Sequence, residues 1–117
     1  MDIVVTENGR ATNLALKGKL DLGNAAKLKD AVKTLLDGDK NLVHLNMKDV
    51  DFINSSGLGA LVSLMKEIRV HKGRLTMSNL APYVNEIFEI TQLSHVFEIY
   101  ETADEAMTSY SAVPSLK

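Results

Sequence analysis

The sequence predicts a single α/β domain with a mixed, mostly parallel sheet of four or five strands, flanked by about four helices. Three observations predict this class: an N-terminal hairpin signal, a regular alternation of apolar strands and amphipathic helices after it, and a length of 117 residues. That length suits one compact core. We expect the domain to span residues 1–111 and residues 112–117, broken by Pro114, to form a frayed, flexible tail.

The first two elements are expected to be strands over residues 2–7 and 10–17, because both segments alternate apolar and polar side chains. Asn8-Gly9 between them is the strongest short signal for a β-hairpin. A helix should follow from Asn24 to Leu36, where apolar residues recur at helical spacing. The chain therefore begins with a hairpin that places one antiparallel pair in the sheet.

The later elements repeat a strand-then-helix order, as expected for parallel strands joined by helical crossovers. Pro82 suits the first turn of a helix, and Thr102 to Glu105 form a capping-box pattern at the start of the last one. The expected elements are a strand at 42–47, a helix at about 57–71, a strand at 75–77, a helix at 82–90, a strand at 96–100 and a helix through Tyr110.

Composition restricts the classes of function. A net charge of −2 and a pI near 5.9 disfavour a nucleic-acid binder, which normally carries a basic stripe. The absence of cysteine excludes disulfides and thiolate metal sites, and no apolar run approaches the roughly 20 residues of a membrane span. We expect a cytoplasmic protein that binds neither membrane nor nucleic acid, needs no cofactor or metal, and is a monomer or weak dimer.

The most informative segment is Asn54-Ser55-Ser56-Gly57-Leu58-Gly59, which lies where an apolar strand gives way to an amphipathic helix. A helix N-terminus has free backbone N–H groups and the positive end of the helix dipole. We expect Ser56 or its neighbour to cap the helix and Ser55 to be exposed. A phosphate on such a hydroxyl would lie in a favourable field.

This segment does not match the common catalytic patterns. Its glycines are too few and wrongly spaced for a nucleotide-binding loop, and it is not a Gly-x-Ser-x-Gly nucleophile elbow. The three histidines, His44, His71 and His95, are scattered over different elements and lack metal-ligand spacing, so we expect ordinary structural roles for them. A small serine-nucleophile enzyme is a disfavoured alternative, and we expect no catalysis.

Over roughly residues 3–110 the chain resembles the STAS domain family, and most closely its stand-alone bacterial members, the anti-sigma factor antagonists. Four segments carry the resemblance in the same order, and the serine-glycine segment is the specific one. They are Gly18-Lys19-Leu20-Asp21, then Leu45-Asn46-Met47 through Val50, Phe52 and Ile53, then Ser55-Ser56-Gly57-Leu58-Gly59, and finally Glu86-Ile87-Phe88.

The resemblance implies a switch that binds proteins. In that family the unphosphorylated antagonist binds an anti-sigma factor, often a serine kinase, and so releases a sigma factor. Phosphorylation of the first serine of the pair, here Ser55, ends binding, and a serine phosphatase restores it. The family commonly has aspartate where this chain has Asn54. The resemblance also places the loop after the second strand nearby. The expected partner-binding residues are thus Asp21, Asn54, Ser55, Ser56, Gly57, Leu58 and Gly59.

Two alternatives stay open at this point. Asp21 could simply cap the first helix or end the second strand. The whole chain could instead be a constitutive STAS scaffold, a subunit of a larger transport or stress-signalling complex that is no longer phosphorylated. Asn54 would be natural in such a subunit.

Overall fold

The computed structural model describes residues 1–111, with side chains described for residues 1–110. The strands are β1 (Asp2–Asn8), β2 (Ala11–Leu20), β3 (Leu42–Ile53), β4 (Arg74–Ser78) and β5 (Glu98–Tyr100). The helices are α1 (Leu22–Asp37), α2 (Ser55–Val70), α3 (Pro82–Ile90) and α4 (Ala103–Ser111), with a 3₁₀ turn at Leu93–His95. The expected tail at residues 112–117 lies outside the described residues.

The strands form one sheet in the order β1-β2-β3-β4-β5. The β1–β2 pair is antiparallel and the other three pairs are parallel, which confirms the predicted mixed, mostly parallel sheet. The hairpin is confirmed, but its turn is one residue later than predicted, because Asn8 pairs with Ala11 and leaves Gly9 and Arg10 as the loop. Gly9 has a φ of +64°, as the first turn position of a type II′ hairpin requires.

Strand β3 is the element that departs most from prediction. It was expected to end at residue 47 but continues to Ile53, because β2 runs beside it as far as the pair Leu20 and Ile53. The extension mixes charged, exposed residues with buried Val50 and Ile53, so its sequence lacks the apolar run of a buried strand. Since β4 pairs only with residues 42–46, the ends of β2 and β3 project beyond the rest of the sheet.

Helices α1, α2 and α3 cover one face of the sheet. Strand order advances in one direction, and parallel crossovers are right-handed, so successive crossover helices fall on the same side. The hydrophobic core lies between this face and the helices, and Met47, Met65 and Met77 belong to it. Val84 and Phe88 anchor α3 in the same core, where the Phe88 ring lies 5.6 Å from that of Phe97.

The opposite face carries a buried polar cluster. His44 on β3 contacts the hydroxyls of Thr76 and Ser78 on β4, at 2.7 Å from each, and Thr76 in turn contacts the Tyr110 hydroxyl of α4 at 3.0 Å. Burial lowers the pKa of His44 to about 4. The imidazole is therefore neutral at physiological pH, one ring nitrogen donating and the other accepting. This confirms the structural role expected for His44.

Arg74 joins the last two elements to β4. Its guanidinium donates to both carboxylate oxygens of Glu98, at 2.9 and 2.6 Å, and to the hydroxyl of Ser109 on α4 at 3.0 Å. It also lies 4.5 Å from the centre of the Tyr110 ring. The hydroxyl half of the predicted capping box is present, since the Thr102 hydroxyl accepts the Glu105 N–H at 3.2 Å and donates to the Glu105 carboxylate at 3.3 Å. No helix within residues 1–111 is long and apolar enough to span a membrane.

Candidate functional site: the serine loop at the ends of β2 and β3

The serine loop lies where two parallel strands end side by side. Leu20 ends β2 and pairs with Ile53, which ends β3, and each strand passes through one capping residue into a helix. Carboxyl ends of parallel strands are the usual position for binding sites in α/β proteins. The N-termini of α1 and α2, with their positive dipole ends, therefore open at the same edge.

Both helices begin with a side-chain cap. The Asp21 carboxylate accepts the Asn24 N–H at 3.1 Å, and the Asn54 side-chain oxygen accepts the Gly57 N–H at 3.0 Å. The helix-capping alternative for Asp21 is thus confirmed. The prediction that Ser56 or its neighbour caps α2 is wrong, because α2 begins at Ser55, two residues earlier than expected. Asn54, extended at φ −119° and ψ −176°, holds the capping position instead.

The two serines occupy the first two helical positions of α2 and are both exposed. The exposure predicted for Ser55 is confirmed. Consecutive residues on an α-helix point about 100° apart, so the two hydroxyls face different flanks. Ser56 lines a depression between α2 and α1, together with Leu22 and Lys29, whereas Ser55 does not. The serines are therefore structurally distinct.

Gly57 and Gly59, two residues apart on α2, have opposite surroundings. A Cβ placed on Gly57 would lie 2.1 Å from the Leu20 carbonyl oxygen, and the residue is buried. The close approach that its missing side chain allows is therefore used by the chain's own β2 end. Gly59 is exposed and has nothing within 4 Å of an added Cβ. Leu58 is half-buried and packs against the core. Gly57 thus positions the loop from below, while Gly59 leaves open surface.

The histidines lie apart from the serine loop. His44 is nine residues before the end of β3, which places it roughly 30 Å from Asn54 along an extended strand. The His71 ring contacts the Glu67 carbonyl oxygen at 3.0 Å at the far end of α2. Within residues 1–111 no group of three or more acidic, histidine or cysteine side chains could hold a metal. His95 precedes β5, at the amino-terminal edge of the parallel strands and opposite to the serine loop. The serine loop therefore presents hydroxyls and helix-end amides with none of these histidines beside it as a base.

The sequence and the fold agree with one family. A model of the STAS domain matches residues 2–106, and the chain belongs to that family. The mixed five-stranded sheet with its helices matches the fold of the STAS structures found.

Several of the relatives found are anti-sigma factor antagonists. The anti-sigma-B factor antagonist of Bacillus subtilis is 29% identical over 99 residues, covering 85% of this chain and 88% of that protein. The crystal structure of TM1081 from Thermotoga maritima superposes with a TM-score of 0.85 at 26% identity, over 92% of each chain. The antagonist SpoIIAA in its unphosphorylated form gives 0.76 at 21% identity, over 96% of this chain and 100% of that one. The phosphorylated form of SpoIIAA from Bacillus gives 0.72 at 21%, over 93% and 99%.

Proposed function

We propose that this chain is a cytoplasmic, non-enzymatic anti-sigma factor antagonist. In its unphosphorylated state it binds an anti-sigma factor that is also a serine kinase, through Asp21 and residues 54–59. Phosphorylation of Ser55 by that kinase ends the interaction, and a serine phosphatase restores it. The naming of the Bacillus subtilis relative as an anti-sigma-B factor antagonist supports the partner class, and the existence of a phosphorylated form of SpoIIAA supports the switch.

One observation carries this proposal: Ser55 is an exposed hydroxyl on a rigid corner. The side-chain oxygen of Asn54 accepts the Gly57 N–H at 3.0 Å and so fixes the first turn of α2. Gly57 in turn packs directly on Leu20. The hydroxyl thus occupies a defined position that a kinase can reach and a partner can cover. Partner contacts at Gly57 are indirect, since this residue shapes the corner from beneath. Asp21, Asn54, Ser55, Ser56, Leu58 and Gly59 supply the surface.

The energies indicate that phosphorylation acts on the interface with the partner and leaves the fold unchanged. A phosphoserine carries about −1.5 to −2 charges, and at an exposed helix N-terminus the dipole stabilises such a group by only about 0.3–1 kcal/mol. A partner packed on Ser55 must bury or expel that charge. A partner carboxylate within about 6 Å would oppose it by several kcal/mol at an effective dielectric near 20. Even about 3 kcal/mol weakens binding on the order of 100-fold. Phosphorylation should therefore change binding much more than folding.

The first test is to map the phosphate. The purified chain is incubated with ATP and the anti-sigma factor kinase of its own organism, then examined by intact mass and peptide mapping. We expect one phosphate on Ser55, none on Ser55→Ala and unchanged labelling of Ser56→Ala. Phosphate on Ser56, or equal labelling of Ser55→Ala, would contradict the assignment of the acceptor.

The second test is binding of the same kinase by isothermal titration calorimetry. Ser55→Ala should bind as the wild type does, whereas Ser55→Asp should bind on the order of tenfold or more weakly, because aspartate carries only part of a phosphate's charge. Equal affinity of both variants for the kinase would show that this corner is not the regulated contact.

A constitutive scaffold is the second candidate, and Asn54 is the observation that favours it. Asparagine supplies the same capping oxygen as aspartate without the negative charge that the family commonly has beside the acceptor serine. Stable co-purification with a larger complex, together with a loop that carries no phosphate in cells, would identify this candidate. Transient, phosphate-sensitive binding would exclude it.

A further inference from the structure

A groove between α1 and α2 opens at the edge that carries the serine loop. Its upper part has a volume of about 260 Å³ and is lined chiefly by Leu22, Ala26 and Lys29 of α1 and by Ser56 and Gly59 of α2. Lys29 also lines the lower part, of about 400 Å³, so the two parts adjoin at this residue. We call the upper part the α1–α2 groove.

Apart from Ser56 and Lys29, the described residues that line the α1–α2 groove are apolar or small. Leu22, at the first position of α1, is 72% exposed and lines the groove beside the small side chains of Ala25 and Ala26. Gly59 leaves the α2 wall open, because nothing lies within 4 Å of an added Cβ. Among the described residues, Lys29 is the charged side chain that lines this upper part, and no carboxylate lines it. The groove can therefore hold an apolar side chain, and the ammonium group of Lys29 can pair with an anionic group.

We propose that the α1–α2 groove docks an amphipathic segment of the anti-sigma factor, with an apolar side chain between Leu22 and Gly59 and a carboxylate at Lys29. This inference rests on the proposed function and extends the contact surface onto α1, beyond Asp21 and the serine loop. The lower part disfavours a carboxylate, because Asp30, Asp37 and Glu67 line it beside the lysines. The anionic group thus belongs at Lys29, where the upper part meets the lower one.

The position of the groove is compatible with control through Ser55. Ser56 faces the groove and Ser55 faces the other flank of α2, about 100° away. A partner seated in the groove and extending over the N-terminus of α2 would cover both serines. The contact in the groove would then be the same with and without the phosphate. The phosphate on Ser55 would weaken the adjoining part of the same interface.

The test measures binding of the purified anti-sigma factor kinase domain of the same organism by isothermal titration calorimetry. Leu22→Ser and Lys29→Glu remove the two contacts. Val70→Ser and Lys27→Glu are matched controls, since Val70 is 74% exposed near the far end of α2 and Lys27 is exposed on α1 outside the groove. Urea unfolding of each variant verifies that it is folded.

We expect each groove variant to bind the kinase domain about tenfold more weakly, and each control to stay within about twofold of the wild type. The loss in Lys29→Glu should shrink at high salt, and one carboxylate-to-lysine substitution in the kinase domain should restore binding to this variant. Loss in the controls equal to that in the groove variants would overturn the proposal.

The outcomes separate this inference from the proposed function. If the groove variants bind as the wild type does while Ser55→Asp does not, the groove is not part of the interface and the antagonist function stands. If the wild type itself fails to bind the kinase domain, the proposed function fails. Groove-specific loss with rescue by the reversed charge supports both.

Discussion

The substitution Gly57→Ala is the most direct test of how the serine loop is held. An added Cβ would lie 2.1 Å from the Leu20 carbonyl oxygen, 3.0 Å from its carbon and 3.1 Å from Ile53 Cγ1. Ordinary contacts of this kind are near 3.4 Å, so the backbone of α2 or of β2 must move by about 1 Å. Two of the three obstacles are backbone atoms, which cannot rotate away as a flexible side chain could. The strain must therefore be taken up by the loop itself.

The magnitude follows from two opposing effects. Overpacking of this kind costs about 1–3 kcal/mol, and forcing Leu20 away also disturbs the bond that its carbonyl oxygen accepts from the Asn54 N–H. Alanine gains up to about 1 kcal/mol over glycine in helix propensity, and less at a first-turn position. We expect a net loss of about 2 kcal/mol in the free energy of unfolding, or a fall of roughly 8 °C in Tm.

Gly59→Ala is the matched control, because Gly59 lies on the same helix with open space around it. Here only the propensity gain applies, and the free energy of unfolding should rise by about 0.5–1 kcal/mol. Urea unfolding followed by circular dichroism gives the free energy of unfolding of each variant, and the m-value should be the same for both. If Gly57→Ala is as stable as the wild type, or if both alanines shift stability alike, the contact between Gly57 and Leu20 does not hold the loop.

Three further predictions concern single side chains. Asn54→Ala should lower the free energy of unfolding by about 1 kcal/mol through loss of the cap, whereas Asn54→Asp should keep it and raise stability by about 0.5 kcal/mol at low salt; equal effects of both in urea unfolding would refute the cap. The pKa of His44 is about 4 in the folded state against 6.5 when unfolded, so the unfolded chain binds more protons between these values. The stability that neutral His44 contributes is therefore complete above about pH 6.5 and falls by about 3 kcal/mol toward pH 4. His44→Gln should flatten this part of the pH dependence of the urea midpoint, and an unchanged slope would contradict it. Arg74→Met should speed hydrogen exchange in α4 and β5 and lower stability by about 1–2 kcal/mol, since the Glu98 pair is half-exposed; Glu98→Gln should reproduce part of the loss, and unchanged exchange in α4 would refute the link.

The elements with strong local signals were predictable. The third helix was predicted at residues 82–90 and is found there, because Pro82 fixes its first turn and its apolar residues have helical spacing. The end of β3 could not be predicted, because residues 48–53 form a strand only through their pairing with β2. The pairing of β2 with β3 itself has two register shifts. Local sequence cannot show such pairing.

The site was predictable in composition and less so in geometry. The strand-to-helix turn, the exposure of Ser55 and the proximity of two strand ends could be inferred, but the capping residue was misassigned. Asn54 is itself a favoured N-cap residue, so the sequence does contain the signal for the cap, two positions before Ser56. The contact between Gly57 and Leu20 joins residues far apart in sequence, and no local pattern indicates it. Leu22 was missed because α1 was expected to begin two residues later.

The architecture separates residues that maintain the loop from residues that face solvent, and this separation has a measurable consequence. Gly57 and the Asn54 cap fix the corner from within, while Ser55, Leu22 and Lys29 are exposed. Substitutions of the first kind should lower the free energy of unfolding and the affinity for the kinase domain together. Ser55→Asp, Leu22→Ser and Lys29→Glu should instead lower affinity at constant stability, because a changed charge or a lost apolar side chain at these positions is felt only when a partner covers it. If affinity across all of these variants simply followed stability, the corner would be part of the folding core and could not serve as a switch.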